Sequence, residues 1–134
     1  MDRSKINPKW PNALRWFLVR GLQTFTPWHF IREPDELASV AEAFKREDIH
    51  RGEVFVFARR QDCDDFAGLE ISSGNITGKV VCFHPTFSTS STSRSNGWDI
   101  VDARFEDVFL FMATRVIHDM KNWAMTEDAD DHPG

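Results

Sequence analysis

Hydrophobic residues in the middle of the chain fall into three short runs separated by two polar breaks. The runs, of four to six residues, are rich in β-branched and aromatic side chains and lie at residues 54–58, 66–71 and 80–83. Runs of this length and composition predict strands rather than helices. The breaks, at residues 59–65 and 72–78, are rich in Asp, Ser, Gly and Asn, which favour turns. Such short connections predict an antiparallel meander, since a parallel crossover needs a dozen residues or more.

Towards the C-terminus the apolar residues recur at the three- and four-residue steps of a helix. The pattern predicts a long helix from Arg104 to about Ala124, with Asp102 as its N-cap or as the residue before the N-cap. The apolar residues at this spacing are Phe105, Phe109, Met112, Val116, Met120 and Trp123. Just before the helix, apolar residues resume after a polar loop and indicate a fourth short strand: Trp98, Ile100 and Val101.

Two shorter helices are predicted before the meander. The first has Asn12 as a candidate N-cap and ends at Gly21, and its apolar face contains Leu14, Phe17 and Leu18. The second starts at Pro34, a residue favoured at the first helical position, and its apolar face contains Leu37, Val40, Ala41 and Phe44. Between the two helices, the alternation of Trp28 and Phe30 indicates a short strand or extended segment.

These patterns together predict an α+β fold. It contains an antiparallel sheet of about four strands, a long C-terminal helix packed on the sheet and two N-terminal helices. With 134 residues and 13% aromatic residues, the chain is expected to form one packed domain. We place this domain at residues 1–126. An acidic, disordered tail at residues 127–134 is expected to follow, because it contains four acidic residues and no Lys or Arg.

Charge is unevenly distributed along the chain. Residues 1–60 contain 11 basic and 8 acidic side chains, whereas residues 61–134 contain 5 basic and 13 acidic ones. An acidic half disfavours binding to nucleic acid, which requires a basic surface, and favours a basic protein partner. The sequence has no apolar segment long enough to span a membrane and no signal peptide. We therefore expect a cytoplasmic protein in which Cys63 and Cys82 are reduced.

The turn RRQDCDD, at residues 59–65, offers candidate metal ligands. Asp62, Asp64 and Asp65, with His84 nearby in the meander, could present oxygen ligands to a cation. Their spacing, however, lacks the glycine and the terminal glutamate of a calcium loop. The favoured interpretation is structural: the aspartates cap the backbone of the turn, and the two arginines pair with carboxylates.

No other group of residues indicates chemistry. The five histidines are scattered and lack the spacing of a zinc-ligand pair, and His84 is expected to have a structural hydrogen-bonding role. Cys63 lies beside acidic residues, which disfavour the thiolate and make it a poor nucleophile. We therefore predict no metal, no cofactor and no catalytic residues.

Four consecutive segments resemble the SUKH superfamily: FARRQDCDD, FAGLEI, GKVVCFHPTF and the helix FEDVFLFMATRVIHDMKNW. This family includes the Smi/Knr cell-wall regulators of yeast and many bacterial immunity proteins. The resemblance covers roughly residues 28–123. It implies a small α+β domain that binds other proteins and has no enzymatic activity. Bacterial members commonly neutralise a toxin made by the same cell.

The leading hypothesis is accordingly a cytoplasmic immunity protein that binds and blocks a cognate toxin. Two alternatives remain: a regulatory or scaffolding module of the Smi/Knr type with no toxin partner, and, more distantly, a small hydrolase or metal-binding enzyme. A Ser/Thr-rich loop at residues 86–96, followed by an aromatic residue, is the preferred place for partner recognition. The candidate partner-binding residues are Ser88, Ser91, Arg94, Asn96, Trp98, Asp62, Asp64 and Asp65.

Overall fold

The computed structural model describes residues 4, 6–31, 53–63, 65–84 and 101–131 of the chain. One helix, α1 (Asn12–Val19), precedes the strands. The strands are β1 (Thr24–Phe25), β2 (Trp28–Phe30), β3 (Glu53–Arg60), β4 (Phe66–Ser72), β5 (Asn75–Phe83) and β6 (Val101–Phe105). A C-terminal helix at residues 108–124 and a 3-10 turn, Ala129–Asp131, follow. The division into a domain and an acidic tail stays a prediction.

The six described strands form one antiparallel sheet in the order of the sequence, from β1 to β6. The α+β class and the meander of β3, β4 and β5 are confirmed, but the prediction of about four strands is too low. The apolar alternation at Trp28 and Phe30 corresponds to strand β2. Strand β1 has only two residues, which is too short for an alternating pattern to reveal it.

The turn between β4 and β5 is tighter than the sequence suggests. Only Ser73 and Gly74 separate the two strands, and both have positive φ angles, of 51° and 78°. Two consecutive residues with positive φ match the right-handed twist of a two-residue hairpin. Strand β5 therefore begins at Asn75 rather than near Val80.

The boundary between β6 and the C-terminal helix also differs from the prediction. Residues 101–105 form a strand, in which Phe105 pairs with Val80 of β5. Asp102 is thus a strand residue, and its prediction as the helix cap is wrong. Asp107 is the N-cap, where its side chain accepts a hydrogen bond from the backbone N–H of Leu110 at 2.8 Å. Over five residues, the period-two pattern of a strand is easily mistaken for the start of a helical stripe.

The C-terminal helix consists of three consecutive segments. They are α2 (Val108–Phe111), a π-helical segment (Met112–Val116) and α3 (Ile117–Ala124). Part of the predicted apolar stripe is buried, namely Met112 and Val116, and so is Phe111, which lies beside the stripe. Phe109, by contrast, is 46% exposed. No helix in the described part of the chain is long and apolar enough to cross a membrane.

Helix α1 begins at Asn12, with Pro11 in the N-cap position and no side-chain cap, so the prediction of Asn12 as N-cap is wrong. The predicted buried face, Leu14, Phe17 and Leu18, is confirmed. Gly21 ends the helix with a φ of 68°. Its N–H donates to Leu18 O at 3.2 Å, and the Leu22 N–H donates to Phe17 O at 2.9 Å, as in a Schellman motif. The second predicted helix, at residues 34–46, lies outside the described residues.

Phe111 connects the C-terminal helix to the sheet. Its ring centroid lies 5.3 Å from that of Trp28 and 5.8 Å from those of Phe57 and Phe105, so it contacts β2, β3 and β6. Phe17 of α1 lies 5.6 Å from Phe30, two residues after Trp28 in β2. Residues i and i+2 of a strand share a face, so both helices pack on the same face of the sheet.

Gly68 of β4 lies opposite a bulge in β3. The register between these strands shifts between Val56 and Ala58. A Cβ atom at Gly68 would lie 3.2 Å from both Phe55 O and Val54 Cβ. A Cβ atom at Gly68 would therefore be packed more tightly than an ordinary van der Waals contact, and its neighbours would have to shift by a few tenths of an ångström.

We expect Gly68→Ala to lower the free energy of unfolding by roughly 1–3 kcal/mol, because the added methyl group overpacks the sheet. Gly78→Ala in β5 is the matched control, since a Cβ atom there meets nothing within 4 Å. Its effect should stay within about 0.5 kcal/mol. Urea denaturation of both variants measures the difference, and equal losses would contradict the close approach at Gly68.

Candidate functional site

Five strands bring their ends together at one end of the sheet. The starts of β2, β4 and β6 lie next to the ends of β3 and β5, through the pairs Trp28↔Arg60, Arg59↔Phe66, Phe66↔Phe83 and Phe83↔Val101. The turn after β3 therefore lies at this end of the sheet. The residues on either side of the segment 85–100, His84 and Val101, lie there too.

Polar side chains at this end are joined by hydrogen bonds and ion pairs into one cluster, here called the sheet-end network. Strand ends and the turn contribute Trp28, Arg60, Asp62, Asp65, His84 and Asp102, and the C-terminal helix contributes Arg115 and Asp119. The network thus links the helix to β2, β3 and β6, to the turn after β3 and to the residue that follows β5.

Asp119 is the most buried carboxylate of the network, with a side chain that is 12% exposed. Its Oδ2 atom accepts hydrogen bonds from Trp28 Nε1 at 2.9 Å, Arg115 Nε at 3.1 Å and Arg60 Nη1 at 3.3 Å. The Trp28 side chain is fully buried, so its indole N–H depends on this acceptor. A buried donor that loses its acceptor is costly to the folded state.

Arg115 lies in the π-helical segment and contacts three carboxylates. Its guanidinium group lies 2.5 Å from Asp102, 3.1 Å from Asp119 and 3.6 Å from Asp65. Burial lowers the pKa of Arg115, but the hydrogen bonds and charges of Asp102 and Asp119 outweigh burial, and the pKa lies above its ordinary value. Arg115 therefore stays charged and joins the start of β6 to the turn after β3.

Arg60, at the end of β3, forms a two-pronged pair with Asp62. Its Nε and Nη2 atoms donate to the two carboxylate oxygens at 2.9 and 2.8 Å. This hydrogen bonding lowers the pKa of Asp62 despite partial burial. The expected pairing of an arginine of this turn with an aspartate is thus confirmed for Arg60.

His84 follows β5 and bonds to the turn after β3. Its Nδ1 atom lies 2.6 Å from Asp65 Oδ1, so the predicted hydrogen-bonding role of this histidine is confirmed. Asp65 also lies near Arg115. His84 and Arg115 follow Asp65 in the sequence by 19 and 50 positions, so these contacts join residues that are distant in the chain. Among the described residues, no group of three or more His, Cys, Asp or Glu side chains is arranged to hold a metal ion.

The solvent-facing side of the network is acidic. The Asp102 side chain is 48% exposed and that of Asp62 is 33% exposed, whereas Arg60 and Arg115 are only 18% and 22% exposed. The guanidinium groups are thus turned inward, and the carboxylates of Asp62 and Asp102 are turned outward. The outward-facing charges of the network are therefore mainly negative.

The two cysteines have different environments. Cys82 lies in β5 and is buried, and burial raises the pKa of its thiol to about 12. Cys63 is exposed in the turn after β3. Partial burial, followed by the charges of Asp65 and Asp62, raises the pKa of Cys63, which agrees with its predicted low reactivity.

Of the candidate partner-binding residues, Asp62 and Asp65 belong to the sheet-end network. The others lie outside the described residues: Asp64, Ser88, Ser91, Arg94, Asn96 and Trp98. Sequence reasoning missed Trp28, Arg115 and Asp119 as members of a site. Arg115 and Asp119 did leave a signal, since an oppositely charged pair four residues apart interrupts the apolar helix pattern beside Val116.

Comparison of the chain with protein-family models, with curated proteins and with solved structures finds no match. The SUKH resemblance therefore rests on the sequence motifs alone and stays a prediction.

We expect Asp119→Ala to lower the free energy of unfolding by roughly 3 kcal/mol, because it leaves the buried Trp28 N–H and two arginines without their shared acceptor. Glu70→Ala is the control. Glu70 pairs with Arg104 at 2.7 Å on the surface, and its loss should cost less than about 1 kcal/mol. Thermal and urea unfolding measure both variants, and similar losses would show that Asp119 is not a structural centre.

We expect a thiol reagent to label one cysteine of the folded protein and the second only after unfolding. Cys63 is accessible, whereas Cys82 is buried, and burial strongly disfavours ionisation of its thiol. Mass spectrometry of the labelled protein counts the modified thiols. The Cys63→Ser variant should show no labelling while folded, and rapid labelling of that variant would refute the burial of Cys82.

Proposed function

We propose that this chain is a non-enzymatic protein-binding domain. More specifically, we propose a cytoplasmic immunity protein that neutralises a cognate bacterial toxin by covering its active site. The resemblance to the SUKH superfamily supports the immunity role. The geometry of the sheet end supports a binding role for that surface.

One observation carries the proposal: the sheet-end network holds both flanks of the segment 85–100. On one flank His84 bonds to Asp65 at 2.6 Å, and on the other Asp102 pairs with Arg115 at 2.5 Å. The segment between these flanks contains the predicted contact residues Ser88, Ser91, Arg94, Asn96 and Trp98. Binding residues commonly lie in loops whose ends are positioned by a rigid scaffold.

The charge of the same surface supports a basic partner. Asp62 and Asp102 point outward from the network. Complementary charge speeds association and disfavours acidic competitors. A toxin domain with a basic surface around its active site fits this requirement, as does any other protein with a basic face.

The direct test is co-expression with any toxin domain that a neighbouring gene encodes. Growth of the toxin-expressing cells reports neutralisation, and isothermal titration calorimetry with the purified, inactivated toxin domain reports binding. We expect rescue of growth and a dissociation constant that rises with salt concentration. Binding without neutralisation would instead support a regulatory or scaffolding module, and the absence of both would reject the immunity role.

We expect recognition of the toxin to depend on the segment 85–100 more than on the turn after β3. Replacing residues 88–95 with a Gly/Ser linker should weaken toxin binding at least tenfold, which is about 1.4 kcal/mol, with little loss of stability. Asp65→Ala should do the reverse, because Asp65 contacts His84 and Arg115 within the network. Calorimetry and thermal unfolding of both variants decide the assignment. The assignment would be reversed if the linker variant binds normally while the Asp65→Ala variant folds but fails to bind.

A further inference from the structure

A cavity of about 630 Å³ lies where the end of the C-terminal helix meets strand β1. Cavities that bind ligands commonly have volumes of about 300–1,000 Å³, so this one has room for a side chain or a small molecule. The described residues that line it come from β1 and the turn after it, from the helix, and from the chain that follows the helix: Thr24, Thr26, Met120, Trp123, Ala124, Glu127, Asp128 and Ala129.

The cavity adjoins the sheet-end network. Phe25, the last residue of β1, pairs with Trp28, so β1 ends at the same end of the sheet as the network. The turn between β1 and β2 is also joined to the turn after β3, because the Gln61 N–H donates to Pro27 O at 2.9 Å. A protein that covers the acidic sheet end therefore lies within reach of the cavity.

The helix gives the cavity an apolar wall. Met120 is followed at three and four positions by Trp123 and Ala124, so the three residues share one helix face. The indole Nε1 atom of Trp123 is buried, so the part of Trp123 that lines the cavity is the carbon surface of its ring. Such a surface packs against the methylene stem of a long side chain, and an indole ring attracts a cation placed over its face.

The residues after the helix make the cavity acidic. Glu127 and Asp128 line it and are exposed, and residues 122–134 contain four acidic residues and no Lys or Arg. Thr24 and Thr26 add hydroxyl groups, which can donate hydrogen bonds to a carbonyl oxygen. The cavity thus combines an apolar wall, negative charge and hydrogen-bond donors.

We propose that this cavity binds an arginine or lysine side chain of a partner protein. The aliphatic stem of that side chain packs on Met120 and Trp123, and its cationic group pairs with Glu127 and Asp128. Arginine fits best, because its planar guanidinium group both stacks on aromatic rings and pairs with carboxylates. A main-chain carbonyl of the partner accepts a hydrogen bond from a threonine hydroxyl, which a small free cation cannot do.

This inference extends the proposed function, because it names the chemical group with which a basic partner engages the sheet end. It rests on the binding role proposed for that end, but not on the partner being a toxin. Peptide probes therefore separate the two proposals. Peptide binding without rescue of growth would reject the immunity role and keep the cavity assignment, and rescue of growth without peptide binding would do the opposite.

Titration of the full chain with short peptides tests the cavity. The probe is the tripeptide Ala-Arg-Ala with both ends blocked, and the backbone amide and indole N–H signals are followed by NMR. We expect millimolar binding, with shifts at Thr24, Thr26 and the Trp123 indole. The matching citrulline peptide, which has the shape of the arginine peptide without its charge, should bind roughly tenfold more weakly.

Two results of this titration would overturn the proposal. One is a citrulline peptide that binds as tightly as the arginine peptide, because the carboxylates would then contribute nothing. The other is the absence of shifts at these positions at about 10 mM arginine peptide, a concentration that reveals even weak binding.

Propylguanidine tests whether the cation belongs to a protein. It has the cationic group and the stem of arginine without a main chain, so it offers no carbonyl oxygen to the threonines. It should bind roughly threefold more weakly than the arginine peptide. Equal or tighter binding of propylguanidine would overturn the assignment to a protein side chain and indicate a small organic cation.

Charge variants locate the site. Glu127→Gln and Asp128→Asn should each raise the dissociation constant of the arginine peptide roughly threefold, because each removes one carboxylate. Glu106→Gln is the matched control, since Glu106 is exposed and follows β6 at the opposite end of the sheet. It should bind the peptide as the unchanged chain does, and a loss equal to that of the other two variants would overturn the site.

A larger side chain at Ala124 tests the cavity itself. Ala124→Phe should fill the cavity and abolish peptide binding. Ala113→Phe is the control, because Ala113 is exposed on the same helix but outside the cavity. Both variants should melt at similar temperatures, and an Ala124→Phe variant that folds and binds the arginine peptide normally would overturn the proposal.

Discussion

A carboxylate with little exposure to solvent ties the two layers of this protein together. Asp119 accepts hydrogen bonds from β2, from β3 and from its own helix. Aromatic packing around Phe111 also joins the helix to the sheet, but apolar contacts are not directional. Hydrogen bonds to a single oxygen atom are directional. Asp119 therefore sets the position at which the helix lies on the sheet, and the rest of the sheet-end network follows from that position.

Arg115 extends this control from the core to the surface. It contacts Asp65 in the turn after β3 and Asp102 at the start of β6. The guanidinium group is mostly covered, whereas the side chain of Asp102, one of its partners, faces outward. The helix thus contributes its positive charge to the interior of the network and leaves a negative surface around the flanks of the segment 85–100. Structural support and surface charge come from the same ion pairs.

Elements with a strong local pattern were predictable. The meander is confirmed because alternating apolar runs and turn residues are properties of neighbouring positions, and the same holds for the buried face of α1. Asp102 and Asn12 show where such reasoning fails, because each was assigned as a cap from its residue type alone. Whether Asp102 or Asp107 caps the helix depends on how far β6 pairs with β5, and that pairing joins residues 18 to 25 positions apart.

The sequence by itself determined the α+β class, the antiparallel order of the central strands, the apolar character of the last helix and the acidic character of the C-terminal half. All of these follow from composition or from the spacing of residues close in the chain. Only the tertiary structure decided which charged residues meet. Trp28 and Asp119 are separated by 91 positions, and no local pattern relates them. Their contact requires the helix to lie over the sheet end, where Phe111 packs on Trp28 and the buried indole N–H requires an acceptor.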